Sequence, residues 1–152
     1  MQKWEVCFFT ELTALRLYQL LKLRQDVFVL EQTCFYADLD NLDQQSIHIL
    51  LIDEEEDQVI AYCRILPEGL IYPEAAIGRV VVSTQTRNQG LAKKLMLKAI
   101  HFIEQEMQVP YIKISAQSHL QRFYSSLGFN VASAPYDEDG IEHIDMMLST
   151  EI

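Results

Sequence analysis

The stretch Val80–Met96, VVVSTQTRNQGLAKKLM, joins an apolar, β-branched run to an amphipathic one across a single glycine in a chain that has only five. The valines suit a strand buried on both faces in the middle of a sheet. Beyond Gly90, Leu91, Leu95, Ala99, Phe102 and Ile103 recur at helical spacing, with Lys93, Lys94, His101 and Glu104 on the opposite side. A strand, a glycine turn and a helix therefore follow one another. The first N–H groups of such a helix lack intrahelical partners and carry the positive end of its dipole, which suits a phosphate. Gly90 lets backbone approach a ligand closely, Ala92 is the next small residue, and Arg87, Lys93 and Lys94 add local positive charge. The plain alternative is an ordinary turn leading into a solvated, lysine-bearing face. The glycine pattern matches neither the dinucleotide fingerprint nor the P-loop.

Working outward, Trp4–Phe9 reads as a first strand, and Thr10 as the N-cap of a helix over about Leu12–Leu30. CFYADLDNLDQQS (34–46) breaks periodicity. IHILLID (47–53) and VIAYCRIL (59–66) read as a hairpin around the acidic turn DEEED, taken as solvated. The segment 76–83 is the strand before the glycine turn, and Pro110 closes the helix region after it. YIKIS (111–115) alternates as a strand, and Ser118–Phe129 as a short helix with a Ser118/Gln121 capping box and Gly128 at its C-terminal end. FNVAS (129–133) and HIDMML (143–148) read as two strands around the turn YDEDGIE, the second an apolar edge open to dimer formation. The class is α/β or α+β: one sheet flanked by helices, with no linker or repeat to divide residues 1–152 into more than one domain.

Composition narrows the function. The net charge of −10 disfavours nucleic acid and suits a cationic partner. No apolar run is long enough to cross a membrane, and the N-terminus does not read as a signal peptide, so a cytoplasmic location is expected. Cys7, Cys34 and Cys63 are odd in number and have no CxxC pair, which implies reduced, mostly buried thiols and neither disulfide nor metal.

RNQGLA (87–92), at its strand-to-helix junction, resembles the pyrophosphate signature of the GNAT acetyltransferases, and QSHLQRFYSSLGF (117–129) resembles the helix and strand that flank the cofactor's thiol end in that family. With LRQDVFVLEQTCFYADLD, IGRVVVS, SAQSHLQ and YDEDGIEHI, the chain is similar to the ElaA-like branch over nearly its full length. The resemblance implies a mixed twisted sheet with two splayed parallel strands and acetyl-CoA between them. Backbone N–H groups of Arg87, Asn88, Gln89, Gly90, Leu91 and Ala92 would hold the pyrophosphate. Val80, Val81 and Val82 would carry the pantetheine arm, Val80 and Val82 pairing with it through their backbones, and Gln117 and Phe123 would flank its thiol end. A backbone N–H near Val82 would polarise the thioester carbonyl, and Tyr124, otherwise a core tyrosine, would protonate the departing thiolate.

The implied reaction is direct acetyl transfer to a primary amine of a small molecule or peptide in a ternary complex. Glu31 and His143 lead the candidates for the base, with His48 and His119 behind; each has an ordinary structural alternative. Arg24 and Arg79 are read as structural, paired locally with Asp26 and Glu31. The chain departs from the family pattern at Gln117, Leu120, Ala92 and Ser83-Thr84, and Leu120 bears on the width of the thiol end. Two rivals stand beside the enzyme: a non-catalytic acyl-CoA sensor, and an acyl transfer like that of the autoinducer synthases, whose start LRQDVFVLEQ resembles.

Overall fold

The computed structural model describes residues 1–151. Its strands are β1 (Gln2–Phe8), β2 (Ile47–Asp53), β3 (Gln58–Leu66), β4 (Ala75–Val82), β5 (Tyr111–Gln117), β6 (Asn130–Val131), β7 (Tyr136–Glu138) and β8 (Ile141–Ser149). Its α-helices are α1 (Ala14–Arg24), α2 (Leu91–Phe102) and α3 (Gln121–Ser125). The strands form one sheet in the order β1-β2-β3-β4-β5-β8-β6, with β7 also on β8. Every neighbouring pair is antiparallel except β4 and β5, which run parallel. The expected mixed sheet with helices on it is the observed architecture.

Alternation along β2 explains the layers. Leu50 and Ile52 point to a core shared with Leu20, Leu23 and Val27 of the α1 region, while Ile49 and Leu51 point to one shared with Leu91, Leu95, Met96 and Ala99 of α2. All four are essentially buried, so helices cover both faces of the sheet. No helix among the described residues is long and apolar enough to cross a membrane.

Several local expectations change. Thr13, not Thr10, caps α1, its Oγ1 accepting the Arg16 N–H at 3.1 Å, because Phe9–Glu11 already forms a tight 3₁₀ turn. The helix then widens into a π-helical segment, Gln25–Glu31. Gln108, in the left-handed region at φ 54°, ends the helix region after α2 before Pro110 is reached. The Ser118/Gln121 capping box does not form: Ser118–Leu120 is a 3₁₀ turn, and Ser118 Oγ is buried without a partner. Gly128 does close α3, at φ 105°. Most of the supposed turn YDEDGIE is strand: Tyr136–Glu138 is β7, which folds onto β8 from Ile141 around Asp139 and Gly140, both at positive φ as a two-residue hairpin turn requires. HIDMML is no edge, since β8 lies between β5 on one side and β6 and β7 on the other.

Candidate active site

β4 and β5 pair only through Ala75 with Ile112 and Ala76 with Lys113, and then diverge. Among the described residues, β4 has no strand partner on that side from Ile77 onward. This is why the run expected to be buried on both faces is only half-buried at Gly78–Val80 and Val82, although Ile77 and Val81 are fully covered. Opposite β3, Gly78 pairs with Arg64 and Val81 with Tyr62, so Arg79 and Val80 face Cys63 alone, a β-bulge with Arg79 at φ 53°. Past the bulge, Ser83 N–H donates to Ile60 on the β3 side at 2.8 Å. Backbone alternation then turns the Val82 N–H and C=O into the gap. The divergence opens a cleft of about 670 Å³.

The glycine turn lies at one end of this gap. Gly90 is the N-cap of α2 at φ 71°, and a Cβ placed on it meets no protein atom within 4 Å. The position is therefore open to whatever lies outside the chain, and φ is what selects glycine. Asn88, also at positive φ, and Gln89 are exposed, whereas Leu91 drives its side chain into the core and offers only its backbone. Ala92 is half-buried.

The cleft brings together Val80, Val81, Val82, Arg87, Gln117 and Tyr124 with the base candidates Glu31, His143 and His119. Tyr124 is buried, with Phe123 and Phe129 edge-on to its ring at 5.0 and 6.1 Å. Burial pushes its hydroxyl up to about 12, so it remains protonated across the physiological range. Phe123 supports Tyr124 from outside the cleft lining. Glu31 is ion-paired with Arg87 at 2.6 Å. His143 hydrogen-bonds through Nδ1 to the Ile141 carbonyl at 2.8 Å and has Glu138 3.4 Å from Nε2. His48 lies outside the cleft: fully buried, it bonds the Tyr62 hydroxyl at 2.6 Å and the Asp43 carbonyl at 2.9 Å, and burial lowers its pKa. It is a structural, neutral histidine.

The loop 34–46, unreadable as periodic sequence, carries a buried ionic network. Arg24 holds Asp38 at 3.0 Å and Asp43 at 2.8 Å; Arg64 holds Asp40 and Asp43; Arg79 holds Asp38 at 2.8 Å and Asp40 at 3.3 Å. Arg24 and Arg79 are thus structural, as expected, but their partners are these aspartates; Lys22 takes Asp26 and Arg87 takes Glu31. Burial works against the charged carboxylates, yet the guanidiniums win: Arg64 carries Asp40 down to about 2, and Arg24 and Arg64 lower Asp43. Three arginines balance three aspartates, which calls for no outside ion. The network clamps the loop that presents Cys34 and Tyr36 to the cleft. Cys34 is buried and its thiol donates to the Asp139 carbonyl, consistent with an inert structural thiol. Cys7 and Cys63 are also free thiols, and burial raises both, Cys7 to about 11.

A family model described as an acetyltransferase (GNAT) domain matches residues 24–150. The chain belongs to the GNAT acetyltransferase family. It is 37% identical to protein ElaA of Escherichia coli K12 over 96% of this chain and 95% of that one, and superposes on the ElaA crystal structure with a TM-score of 0.90, covering 97% and 99% of the two chains. An uncharacterised-family protein of Synechocystis is 39% identical over 95% and 93% of the two chains. The crystal structure of an acyl-CoA N-acyltransferase from Pseudomonas aeruginosa aligns at a TM-score of 0.89 and 36% identity over 96% and 99%. The GNAT chain is accordingly an acyltransferase of the ElaA-like branch, and such enzymes move an acyl group from acyl-CoA to an amine. Its residues fit that donor: unpaired strand backbone beside the gap, an open helix N-terminus beyond it, and cationic side chains around that end.

Proposed function

We propose that the protein transfers an acetyl group from acetyl-CoA directly to the primary amine of a small molecule or peptide, within a ternary complex. The observation that carries this reading is the parting of β4 from β5 after Ala76, on the strand that leads to the left-handed Gly90 at the start of α2, with Tyr124 lining the cleft so opened.

In this reading the backbone of Val80 and Val82 pairs with the pantetheine arm as an added strand would, and the Val82 N–H polarises the thioester carbonyl. N–H groups over Arg87–Ala92 hold the pyrophosphate, with Lys93 and Lys94 contributing charge. Gln117 flanks the thiol end from the cleft wall, and Phe123 backs it only through the Tyr124 ring. A thioester is already activated, so alignment and carbonyl polarisation supply most of the rate. Tyr124, kept neutral by burial, donates its proton to the sulfur as charge develops there. Glu31 is engaged by Arg87, so His143 is the better-placed base. An acceptor carrying positive charge suits both the net charge of −10 and the exposed Glu138 and Asp139 on the cleft wall.

The test has two stages. Coenzyme A and acetyl-CoA, at a hundred times a micromolar dissociation constant, are expected to raise the melting temperature by several degrees. Thiol release is then followed over polyamines, amino acids, aminoglycosides and lysine-containing peptides. No melting shift with either cofactor sinks the reading, whereas binding without turnover on every amine favours a sensor.

A further inference from the structure

The β7–β8 hairpin builds a second polar cluster. Its register sets Tyr136 against His143, while β5 sets Gln117 against His143 from the other side. A carbonyl oxygen only accepts, so the 2.8 Å contact between His143 Nδ1 and the Ile141 carbonyl puts the proton on Nδ1. In the neutral ring Nε2 is then a bare lone pair. That nitrogen lies 3.4 Å from Glu138 Oε2, and the Ser115 hydroxyl oxygen lies 3.3 Å from the same carboxylate oxygen. Ser115 is hydrogen-bonded in turn to the Tyr136 hydroxyl, which donates to Asp145 at 2.7 Å. Burial and the Asp145 bond raise Tyr136, so it stays a neutral donor. The Tyr136 ring lies nearly parallel to the imidazole, at 26° and 6.2 Å. Only 12% of the His143 side chain is open, and it lines the cleft.

Resting on the acyl-transfer reading above, we infer that His143 Nε2 is the base that takes the acceptor's proton and that Glu138 acts through it, its carboxylate stabilising the charge that the ring then acquires. The imidazolium formed by that transfer keeps its Nδ1–H bond to the Ile141 carbonyl, and its positive charge has the Glu138 carboxylate 3.4 Å from Nε2. The step balances. The amine nitrogen bonds to the thioester carbon as the C–S bond breaks; the amine proton goes to Nε2; the sulfur takes the Tyr124 proton. Water then returns a proton to Tyr124 and removes the one on His143, leaving one amide and one thiol. The charged and titratable groups around the imidazole are Glu138 and Tyr136 on β7, Asp139 at the hairpin tip, Glu142 and Asp145 on β8, and Lys113 on β5, which pairs with Asp145 at 3.6 Å. Of these, Glu138 alone lies within ion-pair distance of a His143 ring nitrogen among the described residues.

The test uses the full chain. Nitrogen-15 NMR of the neutral His143 ring is expected to give the Nδ1–H tautomer, a signature that needs no acceptor. With acetyl-CoA and spermidine as the probe amine, His143→Gln is expected to lower kcat about 100-fold while leaving the coenzyme A melting shift unchanged. Glu138→Gln is expected to lower kcat several-fold while leaving the KM for spermidine and the coenzyme A melting shift unchanged. An Nε2–H tautomer, a His143→Gln kcat within threefold of the parent, or a Glu138→Gln variant with parental kcat overturns the inference. Absence of any coenzyme A melting shift in the parent chain is a different failure, that of the acyl-transfer reading itself.

Discussion

Arg87 Nη1 lies 2.6 Å from Glu31 Oε1, joining the end of the π-helical segment to the glycine turn across 56 positions of sequence. Both side chains are a little over a third exposed, and both line the cleft. If Arg87 serves the pyrophosphate, Glu31 competes with it for the same guanidinium.

Glu31→Gln is therefore expected to tighten coenzyme A binding about two- to fivefold, the worth of a partly exposed pair, and Arg87→Gln to weaken it about tenfold. Calorimetric titration reads both. Unchanged affinity with a collapsed kcat in Glu31→Gln would instead make Glu31 the base and displace His143.

Tyr124 gives a separate kinetic test. Tyr124→Phe keeps the ring that Phe123 and Phe129 pack against and removes only the hydroxyl, so kcat is expected to fall by about 100-fold with little change in coenzyme A affinity. Because the hydroxyl titrates only near 12, it contributes no alkaline limb below about pH 10. A Tyr124→Phe enzyme with parental kcat removes the residue from the acid role.

The parts legible in sequence are those whose signal is local. The turn at Gly90 reads correctly because an αL residue, a strand and an amphipathic helix are all written within 17 residues of chain. The β2–β3 hairpin follows from two largely apolar runs on either side of an acidic turn. The Asp38–Asp43 loop is illegible for the opposite reason: its meaning depends on Arg24, Arg64 and Arg79, which reach it from α1, β3 and β4. One clue was available, since Arg64 sits inside the otherwise apolar VIAYCRIL, and a buried charge demands a partner. The Asp139-Gly140 pair likewise marked a tight hairpin that would bring Glu138 to His143. Nothing local marks where β4 leaves β5, because two strands must be seen together for a gap to exist.

That ionic network predicts an acid sensitivity. Asp40 and Asp43 have folded-state pKa values below their unfolded ones, so their contribution is complete above about pH 4 and disappears as the pH falls towards 2. Melting temperature should be flat in this respect from pH 7 to about 4.5 and drop steeply below it. Arg64→Met leaves two guanidiniums to three carboxylates, with Asp43 held by Arg24 alone and Asp40 by Arg79 alone, and is expected to cost about 3 kcal/mol at neutral pH, with the penalty shrinking in acid as they protonate. A constant penalty over that range, measured by denaturant unfolding, would show that packing of the Arg64 stem, and not its charge, is what the network loop requires.

Gly90 separates backbone conformation from ligand contact. At φ 71° an alanine is strained by about 1 kcal/mol, but its Cβ meets no protein atom, so Gly90→Ala should fold normally and melt only a few degrees lower. Gly90→Glu has the same backbone cost but also puts a carboxylate at the open N-terminus of α2, where the pyrophosphate is proposed to lie. Its coenzyme A melting shift should vanish, while that of Gly90→Ala is merely reduced. The comparison holds the strain constant and varies only what projects into the open space. Equal coenzyme A binding by the two variants would move the pyrophosphate away from this turn, leaving glycine there for its φ alone.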